Sequence, residues 1–232
     1  MKTSSREELI AQVAAARHPA RILDIAYAHG PNLALANTGA ELYGLDPLSR
    51  PAPYKQMYTC DINKDPIPFQ EGEFDMVTMG CVLAHTARPL EVLAKIHRVL
   101  KPGGTLILSS PNPNYYWETV INIFYNHFKK RVSHSKHIEH FFEFTRYAMR
   151  TSLERTGFTL EKEIGYLFQL VKTNLRFDVS KHPELAFEII YVAKKTGELK
   201  DFTIIEDAKG AIINLKTDLF DTVGSLKRLD NP

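Results

Sequence analysis

Residues 21–46 read RILDIAYAHGPNLALANTGAELYGLD, and this stretch decides the fold. Ile22, Leu23 and Ile25 form a short apolar run interrupted by Asp24, the length and pattern of a buried strand. Small residues, Ala26 and Ala28, lead to Gly30. Pro31 suits the first position of a helix, where its missing N–H is not needed. Leu33, Leu35 and Ala36 continue that helix, and Gly39 suits its end, where a left-handed residue is wanted. Residues 41–45 form a second strand, and Asp46 stands at its carboxyl end. In an open α/β sheet, a nucleotide-like ligand lies beyond a turn of small residues after one strand and an acid after the next.

The rest of the chain extends the same alternation. Ser5 and Glu8 have the spacing of a capping box, opening a helix with Leu9, Ile10 and Val13 that packs on the sheet edge or roofs the ligand. After Asp46, LSRPAPYKQ is irregular by its prolines. Residues 57–60 form a third strand with Asp61 at its end, and 65–69 are loop. Residues 74–79 form a fourth strand, and 89–100 carry apolar side chains at a helical period. Lys101-Pro102-Gly103-Gly104 stops that helix, and 105–110 form a fifth strand. A helix over 145–157, an extended segment over 158–168 and a strand over 185–193 follow. Strands alternating with helices of this length predict an α/β, mostly parallel, wound sheet. Beyond residue 197, Ile212, Leu215, Leu219, Phe220, Val223 and Leu226 recur at helical spacing. The organisation is thus one main domain over 1–195 and a helical extension over 196–232.

Composition narrows the class. The chain has 232 residues, 44% hydrophobic and 24% charged, with a formal charge of +2. Such near-neutrality does not call for a nucleic-acid partner. Cys60 and Cys81 lack metal-knuckle spacing. No apolar run reaches the length of a membrane span, and the N-terminus carries acids where a signal peptide needs an apolar stretch. The expectation is a reduced, cytoplasmic protein.

The stretches ILDIAYAHG, YGLD, CDINKDPIPFQEGEFDMV, VLAH, LAKIHRVLKPGGTLILSSPNP and HFFEFTRYAMRTSLERTGF, in this order over residues 20–168, resemble the class I S-adenosylmethionine-dependent methyltransferases, in the group that methylates small molecules, sugars and quinones. The combination of LKPGGTL with an F-D-x-V strand upstream is specific. The resemblance implies a Rossmann-like, mostly parallel seven-stranded sheet with helices on both faces, and S-adenosylmethionine as cofactor. It places Asp24 on the acid that orders the first turn, Ala26, Ala28 and Gly30 on the glycine motif, and Asp46 on the acid that binds ribose hydroxyls. Asp61 and Ile62 fall on the pair flanking adenine. Met79 and Gly80 fall where backbone carbonyls hold the methionine amino group. The family pattern D-x-G-x-G-x-G stands here as DIAYAHG over 24–30. Either the turn uses ordinary backbone angles and tolerates alanine, or the methyl groups narrow the pocket.

Methyl transfer is an in-line displacement in which the protein aligns acceptor and methyl. An alcohol acceptor also needs a proton removed, which suits histidine. His85 and His140 are the candidates, each weighed against a structural hydrogen bond. His134, His137 and His140 share a spacing but lack the carboxylates of a metal site, so no metal is expected. Cys81 reads as a small buried residue. Residues 112–144 are rich in aromatics and predict a lid over a small-molecule acceptor, while the aromatic-basic run over 115–131 also suits a membrane surface or lipid. The tail helix suits a homo-oligomer contact or a covered edge. The reading is an O-methyltransferase acting on a small hydroxylated acceptor, a sugar or glycolipid precursor; the alternative is a degenerate fold serving as a binding or partner subunit.

Overall fold

The computed structural model describes residues 5–26, 30–48, 50–115, 142–169, 176–199, 203–206 and 211–214. Strands β1 (Arg21–Ile25), β2 (Glu41–Asp46), β3 (Gln56–Thr59), β4 (Phe74–Gly80), β5 (Leu100–Pro111), β6 (Phe158–Tyr166) and β9 (Glu188–Lys195) form one sheet in the order β3-β2-β1-β4-β5-β9-β6. β1 to β5 pair in parallel, and β9 runs antiparallel to both β5 and β6. Two residues each of β7 (Phe168–Gln169) and β8 (Arg176–Phe177) pair beside it.

Helices cover both faces, which is why the central strands read as near-continuous apolar runs. On one face, α2 (Pro89–Val99) and α3 (Arg146–Arg155) bury Leu93, Ile96, Met149 and Leu153 against Leu23, Ile25, Val77 and Met79. On the other, α1 (Arg6–Ala15) buries Ile10 and Ala14 against Ile22, Met76 and Ile107. Each such leucine, isoleucine, valine or methionine contributes about 1.5–3 kcal/mol relative to exposure. The Ser5–Glu8 capping box forms, with both reciprocal hydrogen bonds present.

Three sequence expectations change. After Pro31 the chain makes a 3-10 helix, Leu33–Thr38, in place of an α-helix. Asn32 caps it by accepting from the Ala34 amide, and Thr38 donates back to the Leu35 carbonyl, local side-chain bonds that compete with a regular helix. Gly39 ends it at φ +76°. Residues 183–185 form a 3-10 turn, so the last long strand starts only at Glu188. Where helical spacing predicts a tail helix, β10 (Thr203–Glu206) and β11 (Ala211–Asn214) pair antiparallel. Their paired isoleucines are β-branched and favour extended chain. The tail beyond 214 lies outside the described residues.

Register sets up the site. Asp24 lies abreast of Gly44 on β2 and Thr78 on β4. Side chains alternate along a strand, so Asp46 and Gly80, each two residues further on, share Asp24's face and flank the exit of β1.

Candidate active site

Asp24 is the hub. It is buried, and its carboxylate accepts from the Thr78 hydroxyl at 2.7 Å, the Asn32 amide at 2.8 Å and the Tyr54 hydroxyl at 2.9 Å. Those contacts tie the far side of the β1 turn to β4 and to the loop after β2. Burial pushes the Asp24 pKa up, against the opposing effect of the three hydrogen bonds. Gly44 makes the Tyr54 contact feasible: a Cβ there would stand 2.9 Å from the Tyr54 ring and overlap the Met57 sulfur.

The glycine-poor turn is partly explained. Gly30 has φ +84°, a conformation that alanine resists. Ala26 is not among the positive-φ residues, and its amide continues the β1–β2 ladder by donating to the Leu45 carbonyl at 2.8 Å. Alanine at 26 therefore fits ordinary backbone. Tyr27, Ala28 and His29 lie outside the described residues.

Asp46 has 0% exposure. It accepts from the Leu48 amide at 2.7 Å and is ion-paired to Arg50, whose Nε lies 2.8 Å from Oδ2. Asp61, past the end of β3, accepts from the Asn63 amide at 3.1 Å and pairs with Lys64 at 3.1 Å. Burial works against its ionisation, but Lys64 and Asn63 prevail and hold its pKa below the usual carboxylate range. Ile62 turns its side chain into the core with Cys60 and Ile67, while its carbonyl accepts from Lys95.

At the end of β4, the Met79 side chain is core and Gly80 faces α1, where the Arg6 guanidinium would lie 3.5–3.6 Å from a Cβ. Arg6 pairs with Glu7 at 2.6 Å and with buried Glu188, the first residue of β9, at 3.2 Å. Cys81 then takes φ +55°, uncommon for a residue with a side chain. Its amide donates to the Ser109 hydroxyl at 3.0 Å. Burial pushes its thiol up to about 12, so it is a neutral thiol and not a nucleophile.

His85 closes the 3-10 turn Leu83–His85 beyond β4 and is 5% exposed. The next carbonyl back, Ala84, accepts from the Phe142 amide, which brings residue 142 to the same edge. Aromatic side chains gather there and beyond β5: Phe142 with Phe144, and Tyr115 edge-on to Phe168 and Phe187. The predicted lid over 112–144 falls mostly on 116–141, and these residues, His134, His137 and His140 among them, lie outside the described ones. Among the described residues, no group of three or more histidine, cysteine or acidic side chains could hold a metal, and no helix is long and apolar enough to cross a membrane. A hollow of about 640 Å³ between α3 and β6, lined by Arg150, Glu154 and Phe158, sits toward the opposite end of the sheet.

Sequence reasoning missed Arg50, Tyr54, Arg6 and Glu188. Arg50 stands four residues after Asp46, a local signal; Arg6 and Glu188 are 182 positions apart and gave none.

The family profile described as "methyltransferase domain" matches residues 4–163. The chain belongs to this family of class I S-adenosylmethionine-dependent methyltransferases, and its seven-stranded sheet is theirs. A demethylmenaquinone methyltransferase from Symbiobacterium thermophilum is 36% identical over 81 residues, which cover 30% of this chain and 32% of that protein. The chain thus matches about a third of that relative's length. In fold it resembles a methyltransferase from Archaeoglobus fulgidus (TM-score 0.56, 18% identity, 83% of this chain and 95% of the other). It also resembles the 1,6-didemethyltoxoflavin-N1-methyltransferase of Burkholderia thailandensis, solved with S-adenosylhomocysteine (TM-score 0.51, 18% identity, 82% and 79%).

Proposed function

We propose that the chain transfers a methyl group from S-adenosylmethionine to a small hydroxylated acceptor with an apolar ring body. The observation that carries this reading is the placement of Asp46 and Gly80 on one face, flanking the exit of β1, with left-handed Gly30 in the turn above. Asp46 and Asp61 would hold the nucleoside, Gly30 would let the backbone approach it, and the backbone at Met79–Gly80 would take the methionine amino group. Arg6, beside Gly80, would face the methionine carboxylate. The cofactor supplies an electrophilic methyl; alignment and exclusion of water fall to the protein.

The acceptor side fits rings better than sugars. Its rim presents exposed Phe142 and Phe187, backed by buried Phe144 and Tyr115, and sugar hydroxyls need polar partners when desolvated. A quinol-type ring agrees with the name of the Symbiobacterium relative. His85, with His140, is assigned the acceptor proton, whether the methylated atom is the oxygen or a ring carbon activated by it. Residues 115–131 would contact a lipid-like acceptor or its membrane, and the reaction would take place in the cytoplasm.

Titration calorimetry with S-adenosylhomocysteine tests the donor half: one-to-one binding that Asp46→Ala abolishes is expected. Transfer of labelled methyl to a panel of quinols and sugars tests the acceptor half, and His85→Gln should lower kcat about a hundredfold while KM for the donor holds. The second reading, a partner subunit without catalysis, draws on the engagement of Asp46 by Arg50. Absence of binding at millimolar ligand would favour it.

A further inference from the structure

Arg50 stands in a specific place. Its Nε lies 2.8 Å from Asp46 Oδ2 and its Nη2 3.3 Å from Oδ1, so the guanidinium lies across the carboxylate. On its other side, Nε, Cδ and Cζ lie 3.4–3.5 Å from the Cβ position of Gly30. The guanidinium therefore fills the gap between the acid that ends β2 and the left-handed glycine that follows β1. A group bonded to both Asp46 oxygens while resting on the Gly30 backbone needs the same volume. Both Asp46 oxygens already accept hydrogen bonds, from the Leu48 amide and from Arg50. With the guanidinium on both oxygens and against Gly30, a diol competes with the arginine for the same space.

We propose that Arg50 is an internal stand-in for the ribose: it neutralises buried Asp46 in the ligand-free chain and is expelled when a nucleoside binds. This rests on the proposed donor site. Solvent reaches the exchange: the Arg50 side chain is 28% exposed and that of Asp46 is 0% exposed, so the arginine can leave to water while the acid stays. The pair is also local: the two residues are four apart, one at the end of β2 and one in the loop that follows. The turn thus trades one set of charge-assisted bonds for another. Nucleoside affinity carries the cost of that trade, and Arg50 sets it. An arginine here also selects against ligands that lack the vicinal hydroxyls, since only a diol replaces both bonds.

The test compares wild type, Arg50→Ala and Arg50→Gln by calorimetry with S-adenosylhomocysteine and with its 2′-deoxy analogue, after circular dichroism has checked folding. Both variants should bind S-adenosylhomocysteine about tenfold more tightly, because the ligand no longer has to displace the guanidinium. The ratio between the two ligands should narrow. A crystal of the wild-type complex, which depends on no variant, should show the Arg50 side chain withdrawn from Asp46. Unchanged or weaker binding in both variants, or a complex in which Arg50 still spans Asp46 beside the bound ribose, overturns the proposal and leaves the donor site standing. Failure of every form, wild type included, to bind at millimolar ligand overturns both.

Discussion

Two arginine–carboxylate pairs stand at the carboxyl edge of the sheet, and they are built in opposite ways. Asp46 and Arg50 are four residues apart, at the end of β2 and in the loop after it; Arg6 and Glu188 are 182 apart and join the first turn of α1 to the start of β9. In the first pair only the acid is shut away from water, whereas the side chains of Arg6 and Glu188 are 15% and 6% exposed. A local pair with a solvent-facing arm can open without repacking. A long-range pair with both arms enclosed is a staple, because opening it leaves charge in low dielectric. The proposed nucleoside end is therefore built so that it can open, and the Arg6 end beside Gly80 for rigidity.

That contrast can be broken most sharply at Glu188. Glu188→Ala leaves the enclosed Arg6 guanidinium with Glu7 alone and should cost about 3 kcal/mol in urea unfolding, the low end for a broken buried pair. A loss no larger than that of Arg50→Ala would show that the two pairs do not differ in kind. Asp24→Asn comes next, since Asp24 lies between the two ends and accepts from Asn32, Thr78 and Tyr54. An amide nitrogen turned toward those donors leaves one of them unmet, and the chain should lose about 2 kcal/mol, with weaker donor binding. Ser5→Ala breaks the capping box that orders the turn holding Arg6; thermal unfolding should report a loss of about 1 kcal/mol.

The smallest effect is a control far from both pairs. Glu163 on β6 accepts from Arg146 and Arg150 of α3. Burial opposes its ionisation, but the two arginines dominate and hold its pKa below the ordinary glutamate value. The unfolded chain then binds more protons than the folded one in that range, so stability falls as pH drops below about 4.3 toward the folded pKa. Glu163→Gln should flatten this acid limb and leave binding of S-adenosylhomocysteine unchanged; an altered affinity would tie the far edge of the sheet to the site.

Much of the framework around the candidate site was legible because its parts are local. The capping box, the two apolar strands ending near Asp24 and on Asp46, and the glycine at the left-handed position each follow from residues a few places apart, and the structure forms them all. Reading failed where a local rule met a tertiary one. The helix expected after Pro31 shrank to a 3-10 turn because Asn32 and Thr38 bond their own backbone. Ile212, read at helical spacing, lies in β11 and is paired with Ile205 of β10.

By itself the sequence determined the parallel sheet, its face alternation and the acids at its strand ends, because these depend on hydrophobic period and on turn chemistry within a short window. Only the tertiary structure decided what those acids touch. Arg50 settled on Asp46, Tyr54 reached Asp24 through the space left by Gly44, and Arg6 met Glu188 over Gly80. Side-chain partners are chosen by which surfaces the sheet brings together, and a pairing that crosses most of the chain leaves no trace in local order.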